Sequence, residues 1–292
     1  MTHFRSLKCG IVLLLVASAL TGTCEVDSEG KLKADTTIPN TKLLSIAEIQ
    51  EYRNARYESF LKSVSDTELS QENQELIATA LSKSYSGIPL CSFSFTLDAR
   101  GNLASPSEEE AVWIVSKSGG TIREDSKAQR HYRDAPFSYV PNKPFDLAQG
   151  VVVAKSRSTV KFRFPFTPRL VAPNLDSDAV RVLRKLEWIA ELTVDTESKA
   201  PLSLLLTIED DNERAHSPLV TFDVARVEFL YDYNASCEYY EVFSKLRHFE
   251  GTSIFSGDFL DKTIKTFKNV TCEQPVSYLL PEVKELEFLE RY

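Results

Sequence analysis

A chain of 292 residues that is 42% hydrophobic and 26% charged can bury a sizeable core, and its composition excludes a wholly disordered or low-complexity protein. Its net charge of −8 excludes a general nucleic-acid binder, because phosphate contact rests on clustered Lys and Arg. After the N-terminal apolar run, no stretch approaches about 18 consecutive apolar residues, the length a spanning helix requires.

The chain opens with Arg5 and Lys8 ahead of "CGIVLLLVASAL", the charge and length pattern of an export signal, expected over residues 1–23. Two processing routes stay open. Ala17-Ser18-Ala19 fits small-x-small cleavage, and Cys24 in "LTGTC" stands where a bacterial lipoprotein carries its acylated cysteine, although Thr23 and the offset of Leu20 depart from that motif. The expected location is therefore exported: periplasmic, or membrane-anchored by lipid at Cys24, or extracellular in a eukaryote. Residues 24–43 are polar and aperiodic, as in a flexible leader.

A single domain is expected over 44–280. Ser45-x-x-Glu48 is a capping box, and Ile46, Ile49, Tyr57, Phe60, Leu61 and Val64 recur at roughly helical spacing behind it. A second helix carries Leu69, Leu76, Ile77, Ala80 and Leu81 on one stripe and stops at Gly87 and Pro89.

From Leu90 the period changes to two: "CSFSFTL", "AVWIVS", "GVVVA", "TVKFRFPF", "LEWIAELTV", "PLSLLLTI", "FDVARVEFLYDY", "EYYEVFSKLRHF" and "KTFKNVTC". The connections are hairpin-like and mostly too short for crossover helices, so the strands form an antiparallel meander. Only "SDAVRVLRKL", residues 177–186, suggests another short helix, and 281–292 reads as a tail or short helix. The fold class is α+β: N-terminal helices on a strongly curved antiparallel sheet, or half-barrel, because roughly nine to eleven strands are too many for a flat sheet.

Once Cys9 has left with the signal, Cys24, Cys91, Cys237 and Cys272 remain in a compartment that permits disulfides. If 238–249 and 264–272 are neighbouring antiparallel strands, Cys237 meets Cys272. Cys91 is then buried and free, or paired with Cys24. Asn234-Ala235-Ser236 and Asn269-Val270-Thr271 are glycosylation sequons.

No sequence motif signals catalytic, metal or cofactor chemistry, so none is expected; an enzyme would need a site assembled in space, with His131 and His248 as its first candidates. His131, His216 and His248 are scattered, "SGG" at 118–120 lacks a nucleophile-elbow context, and "EDDNE" at 209–213 lacks the glycine of a calcium loop. What stands out is apolar material at one strand parity: Phe162, Phe164 and Phe166; Trp188, Ala190, Leu192 and Val194; Leu202, Leu204, Leu206 and Ile208; Val227, Phe229, Tyr231 and Tyr233. Two helices are narrower than such a sheet, so part of its concave face is expected to stay uncovered. Phe162, Phe164, Trp188, Leu192, Leu204, Leu206 and Phe229 are the candidate ligand contacts for a lipid or acyl chain, held without catalysis. The alternative is a secreted structural or protein-interaction module with a closed core, which meets an envelope protein partner through an edge strand such as 159–166, with Lys161 and Arg163.

The segment "WIAELTVDTESKAPLSLLLTI" resembles the W-I-D-x-x-T-x-x-P-L hairpin of LolA-like outer-membrane lipoprotein-sorting proteins, with Trp188 and Asp195 further apart than in that family. The ending "DKTIKTFKNV" is similar to their closing strand. The resemblance implies an incomplete β-barrel with a helical lid and an acyl-chain cavity, used for lipoprotein carriage, lipid transport or envelope-stress sensing.

Overall fold

The computed structural model describes residues 42–84, 87–101, 107–115, 121–126, 129–130, 135–137, 145–167, 182–183, 185–208, 219–254 and 257–280. The expected signal and tail, Cys24, most of the expected leader, His131, His216, and both loop motifs at 118–120 and 209–213 lie outside these residues. Of the expected 177–186 helix, Val182 and Leu183 are helical.

Helix α1 (Ile46–Val64) starts as its capping box dictates: Ser45 is extended at φ −74° and ψ 170°, its hydroxyl accepts from the Glu48 N–H, and the Glu48 carboxylate accepts from the Ser45 N–H at 2.9 Å. Helix α2 (Gln71–Ser84) follows at once and packs against α1. Ile49 and Val64 of α1, with Leu76, Ile77, Ala80 and Leu81 of α2, are buried in the common core.

The strands are β1 (Lys42–Leu44), β2 (Ile88–Pro89), β3 (Cys91–Gly101), β4 (Ser107–Val115), β5 (Thr121–Arg123), β6 (Gln129–Arg130), β7 (Val151–Lys155), β8 (Thr159–Phe166), β9 (Trp188–Asp195), β10 (Pro201–Ile208), β11 (Val220–Asn234), β12 (Tyr239–Ser253), β13 (Gly257–Cys272) and β14 (Tyr278–Leu280). Eleven form one sheet in the order β6-β5-β4-β3-β13-β12-β11-β10-β9-β8-β7, with every neighbouring pair antiparallel. The α+β class and the long meander follow the sequence reading. Among the described residues the only non-consecutive neighbours in this sheet are β3 and β13, which join the two arms, and the sheet ends at β6 and β7 rather than closing into a barrel. Helix α2 lies over β9, β10 and β12, and a 3-10 turn at Leu147–Gln149 packs beside α1 and β8.

A second sheet, β1-β14-β2, was not legible in the sequence. Lys42 and Leu43, expected in the leader, pair with Leu280 and Leu279, so strand β1 includes two residues that precede the expected domain boundary at 44. Strands of two or three residues carry no measurable period. Tyr278 and Leu279 are nevertheless fully buried, which anchors the end of the described chain beneath the helices.

Candidate functional site

The seven apolar candidates do come together. Phe162, Leu192, Leu204 and Phe229 are successive register partners across β8, β9, β10 and β11; Phe164, Ala190, Leu206 and Val227 form the next row, and Trp188 stands opposite Phe166 in the one after. Phe162 and Phe164 are 0% exposed and Leu206, the most open of the other fully buried ones, 7%, whereas Phe229 is half-buried. The rows share one cluster with Ile49, Leu76, Ile77 and Leu81 of the helices. Trp188 satisfies its indole N–H on the Leu183 carbonyl at 2.8 Å.

On β12 and β13 the same rows turn charged. Phe229 faces Lys245, which faces Lys265, and Val227 faces Arg247. The Lys265 ammonium lies 3.8 Å from the Phe95 ring centre, and Arg247 pairs with Asp261 at 3.1 Å. Two residues depart from the parity reading. Leu202 sits at a register shift between β9 and β10, which turns it to solvent, and Tyr233, at the end of β11, is 53% exposed. The expected edge strand is also displaced: β8 is covered on its outer side by β7, and Lys161 and Arg163 both pair with Glu191, at 3.3 and 2.7 Å.

Cys237 and Cys272 form the expected disulfide, with Cα atoms 5.0 Å apart, because β12 and β13 are neighbours. Cys91 is free, buried and opposite Cys272 in register; burial, reinforced by Glu241, pushes its thiol pKa far above the usual range, which disfavours the thiolate. Asn234, in the first sequon, is committed. Its Nδ2 donates to the Glu241 carboxylate at 2.6 Å and the Val270 carbonyl at 3.0 Å, while its Oδ1 accepts from the Ser236 and Cys237 N–H groups. Asn269, in the second, is exposed at φ 54°. Half-buried His248 has Nε2 3.2 Å from the Glu250 carboxylate. Among the described residues no three His, Cys, Asp or Glu side chains gather as a metal site.

Two helix faces and one hairpin build a cleft of about 480 Å³ that the sequence reading missed. Gln50, Arg53, Asn54 and Tyr57 recur at i, i+3, i+4 and i+7 and so share one face of α1; Thr79, Ser82 and Lys83 do the same on α2. Tyr233, Glu238, Tyr239 and Tyr240 close the cleft from the β11–β12 hairpin. That hairpin is held by the disulfide, by the Asn234 bonds and by Tyr239, whose hydroxyl donates to the Ser84 carbonyl at 3.0 Å.

The Arg53 guanidinium lies over Tyr239 and Tyr278, 5.1 and 5.3 Å from the ring centres. Lys83 donates to the Ser198 carbonyl at 2.6 Å and sits 5.5 Å from the Tyr240 ring. Burial lowers the Lys83 pKa and Lys199 lowers it further, against the pull of Asp195. Tyr233 and Tyr240 pack with ring centres 5.3 Å apart and planes tilted by 57°, and burial raises the pKa of the Tyr240 hydroxyl. Among the described residues the lining thus offers aromatic faces, amide and hydroxyl groups, and two cations against one carboxylate.

No family model, curated protein or solved structure matches this chain.

Proposed function

We propose that this protein is a non-catalytic binding module with a closed apolar core, and that the cleft between α1, α2 and the β11–β12 hairpin takes an anionic, hydroxyl-rich ring ligand of the acidic-saccharide class. The observation that carries the reading is the lining itself. Tyr57, Tyr233 and Tyr240 supply flat apolar faces with polar tips, Gln50, Asn54, Thr79 and Ser82 supply neutral hydrogen-bonding groups, and Arg53 and Lys83 favour a negative group. Its volume falls within the roughly 300–1,000 Å³ of small-molecule sites.

The test is titration with a glucuronate oligosaccharide, followed by NMR of the tyrosine rings, with a neutral glucose oligosaccharide as control. Shifts at Tyr57, Tyr233 and Tyr240 with the acidic probe, lost on Lys83→Met, support the reading. Equal response to both probes, or none, overturns it.

A second reading keeps the apolar ligand. Phe229 is half-buried where the closed rows of β8–β10 meet the charged rows of β12–β13. A strongly curved sheet there would offer an acyl chain an apolar wall, as the resemblance to lipoprotein-sorting proteins implies, with export and an envelope location as its setting. The burial of Phe162 and Phe164 means such a chain must part the covering layer, which over β8 includes Phe145 and the 3-10 turn, to reach them. Native mass spectrometry with lipid extraction separates the two readings: a co-purifying acyl species that Phe229→Arg abolishes favours the second.

A further inference from the structure

We propose that β7 is a docking strand to which an extended partner segment of alternating apolar and acidic residues adds edge to edge. β7 ends the sheet order, so among the described residues no strand pairs with its outer edge. All five of its residues are exposed, with Val151, Val152 and Val153 at 51, 38 and 39%. Both faces of the strand thus keep access to solvent, which is unusual for consecutive valines, and among the described residues no strand occupies the backbone donors and acceptors of its outer edge.

Charge selects the occupant. From residue 147 to residue 175 the sequence has Lys155, Arg157, Lys161, Arg163 and Arg169 and no Asp or Glu, in a chain whose net charge is −8. In register, Val151 stands beside Arg163 and Ala154 beside Lys161, so one face of the β7–β8 pair is cationic, with Glu191 of β9 shared between the two. A second copy of the chain would set two such edges against each other, and like charges across paired strands repel. An acidic strand is attracted instead. The register shift between Val152 and Ala154 and the charge of Lys155 discourage indiscriminate pairing and leave this selective one.

The test uses the full protein and a short synthetic peptide alternating valine and glutamate, read by amide hydrogen exchange and by fluorescence anisotropy. Protection of the Val151–Lys155 amides is expected, together with affinity that falls as salt is raised to about 0.5 M. A valine–lysine peptide should not bind, the N-methylated acidic peptide should not bind, and Lys155→Glu should weaken binding by about tenfold. The peptide arms hold even if that variant misfolds. Equal binding of the lysine peptide, protection elsewhere on the sheet, or self-association that protects β7 without peptide would overturn the proposal.

Discussion

Strands β7 and β8 are hydrogen-bonded neighbours, yet they obey opposite rules. β8 alternates between buried Val160, Phe162 and Phe164 and half-exposed Thr159, Lys161 and Arg163, while β7 runs Val-Val-Val-Ala-Lys with every residue exposed. The difference teaches that alternation reports a covering layer. Cover reaches β8, where Phe145 packs on Phe164 at 5.2 Å between ring centres, and stops one strand short of the edge. Valine on β7 therefore contributes strand propensity without core burial.

Several outcomes would break or sharpen that contrast. Phe164→Ala should cost about 3–5 kcal/mol in urea unfolding, whereas Val152→Ala should stay within about 0.5 kcal/mol. Comparable losses at both would mean that β7 is covered in solution. Replacing Cys237 and Cys272 by alanine should lose roughly 2–4 kcal/mol, as their 35-residue separation implies, and should loosen the cleft hairpin, visible as faster exchange at Tyr239 and Tyr240. If stability fell while those amides stayed protected, the hairpin would be held by its hydrogen bonds alone.

On the outer face of β9, Glu191→Gln should cost about 1 kcal/mol at neutral pH, because one carboxylate answers two cations of β8. Burial pushes the Glu191 carboxyl up, but the hydrogen bonds from Arg163 and Lys161 outweigh it and hold the pKa below the usual value. Its contribution is therefore present above the ordinary carboxylate range and is lost as pH falls through the lowered folded value. Thermal melts of wild type and variant should converge in acid; a constant gap would assign the loss to packing.

The smallest effect concerns the cleft. If the cleft takes the proposed acidic saccharide, the lowered pKa of Lys83 should make affinity decline with rising pH before an ordinary lysine would titrate. Lys83→Arg should carry that decline to higher pH, and an unchanged profile would remove Lys83 from the binding surface.

Strand parity made the inner rows legible: Phe162, Leu192, Leu204 and Phe229 were on one face before their register was known, because side chains alternate whatever the partner. The same rule failed at Leu202, where the register shift intervenes, and at Tyr233, at the end of its strand. The cleft was missed because the helices were read for their apolar stripes. The polar series Gln50, Arg53, Asn54 and Tyr57 was equally periodic, and its meaning depended on which surface would stand opposite.

The residues by themselves determined the two helices, the change to an antiparallel meander and the partnership of Cys237 with Cys272, because caps, periodicity and strand adjacency act over short distances. Tertiary structure decided the rest: that β7 and not β8 forms an edge, that the rows of β8–β10 are closed while Phe229 is half open, and that a polar helix face meets a tyrosine hairpin. Those outcomes depend on which long-range surfaces meet, and burial and electrostatic environment exist only after they have met.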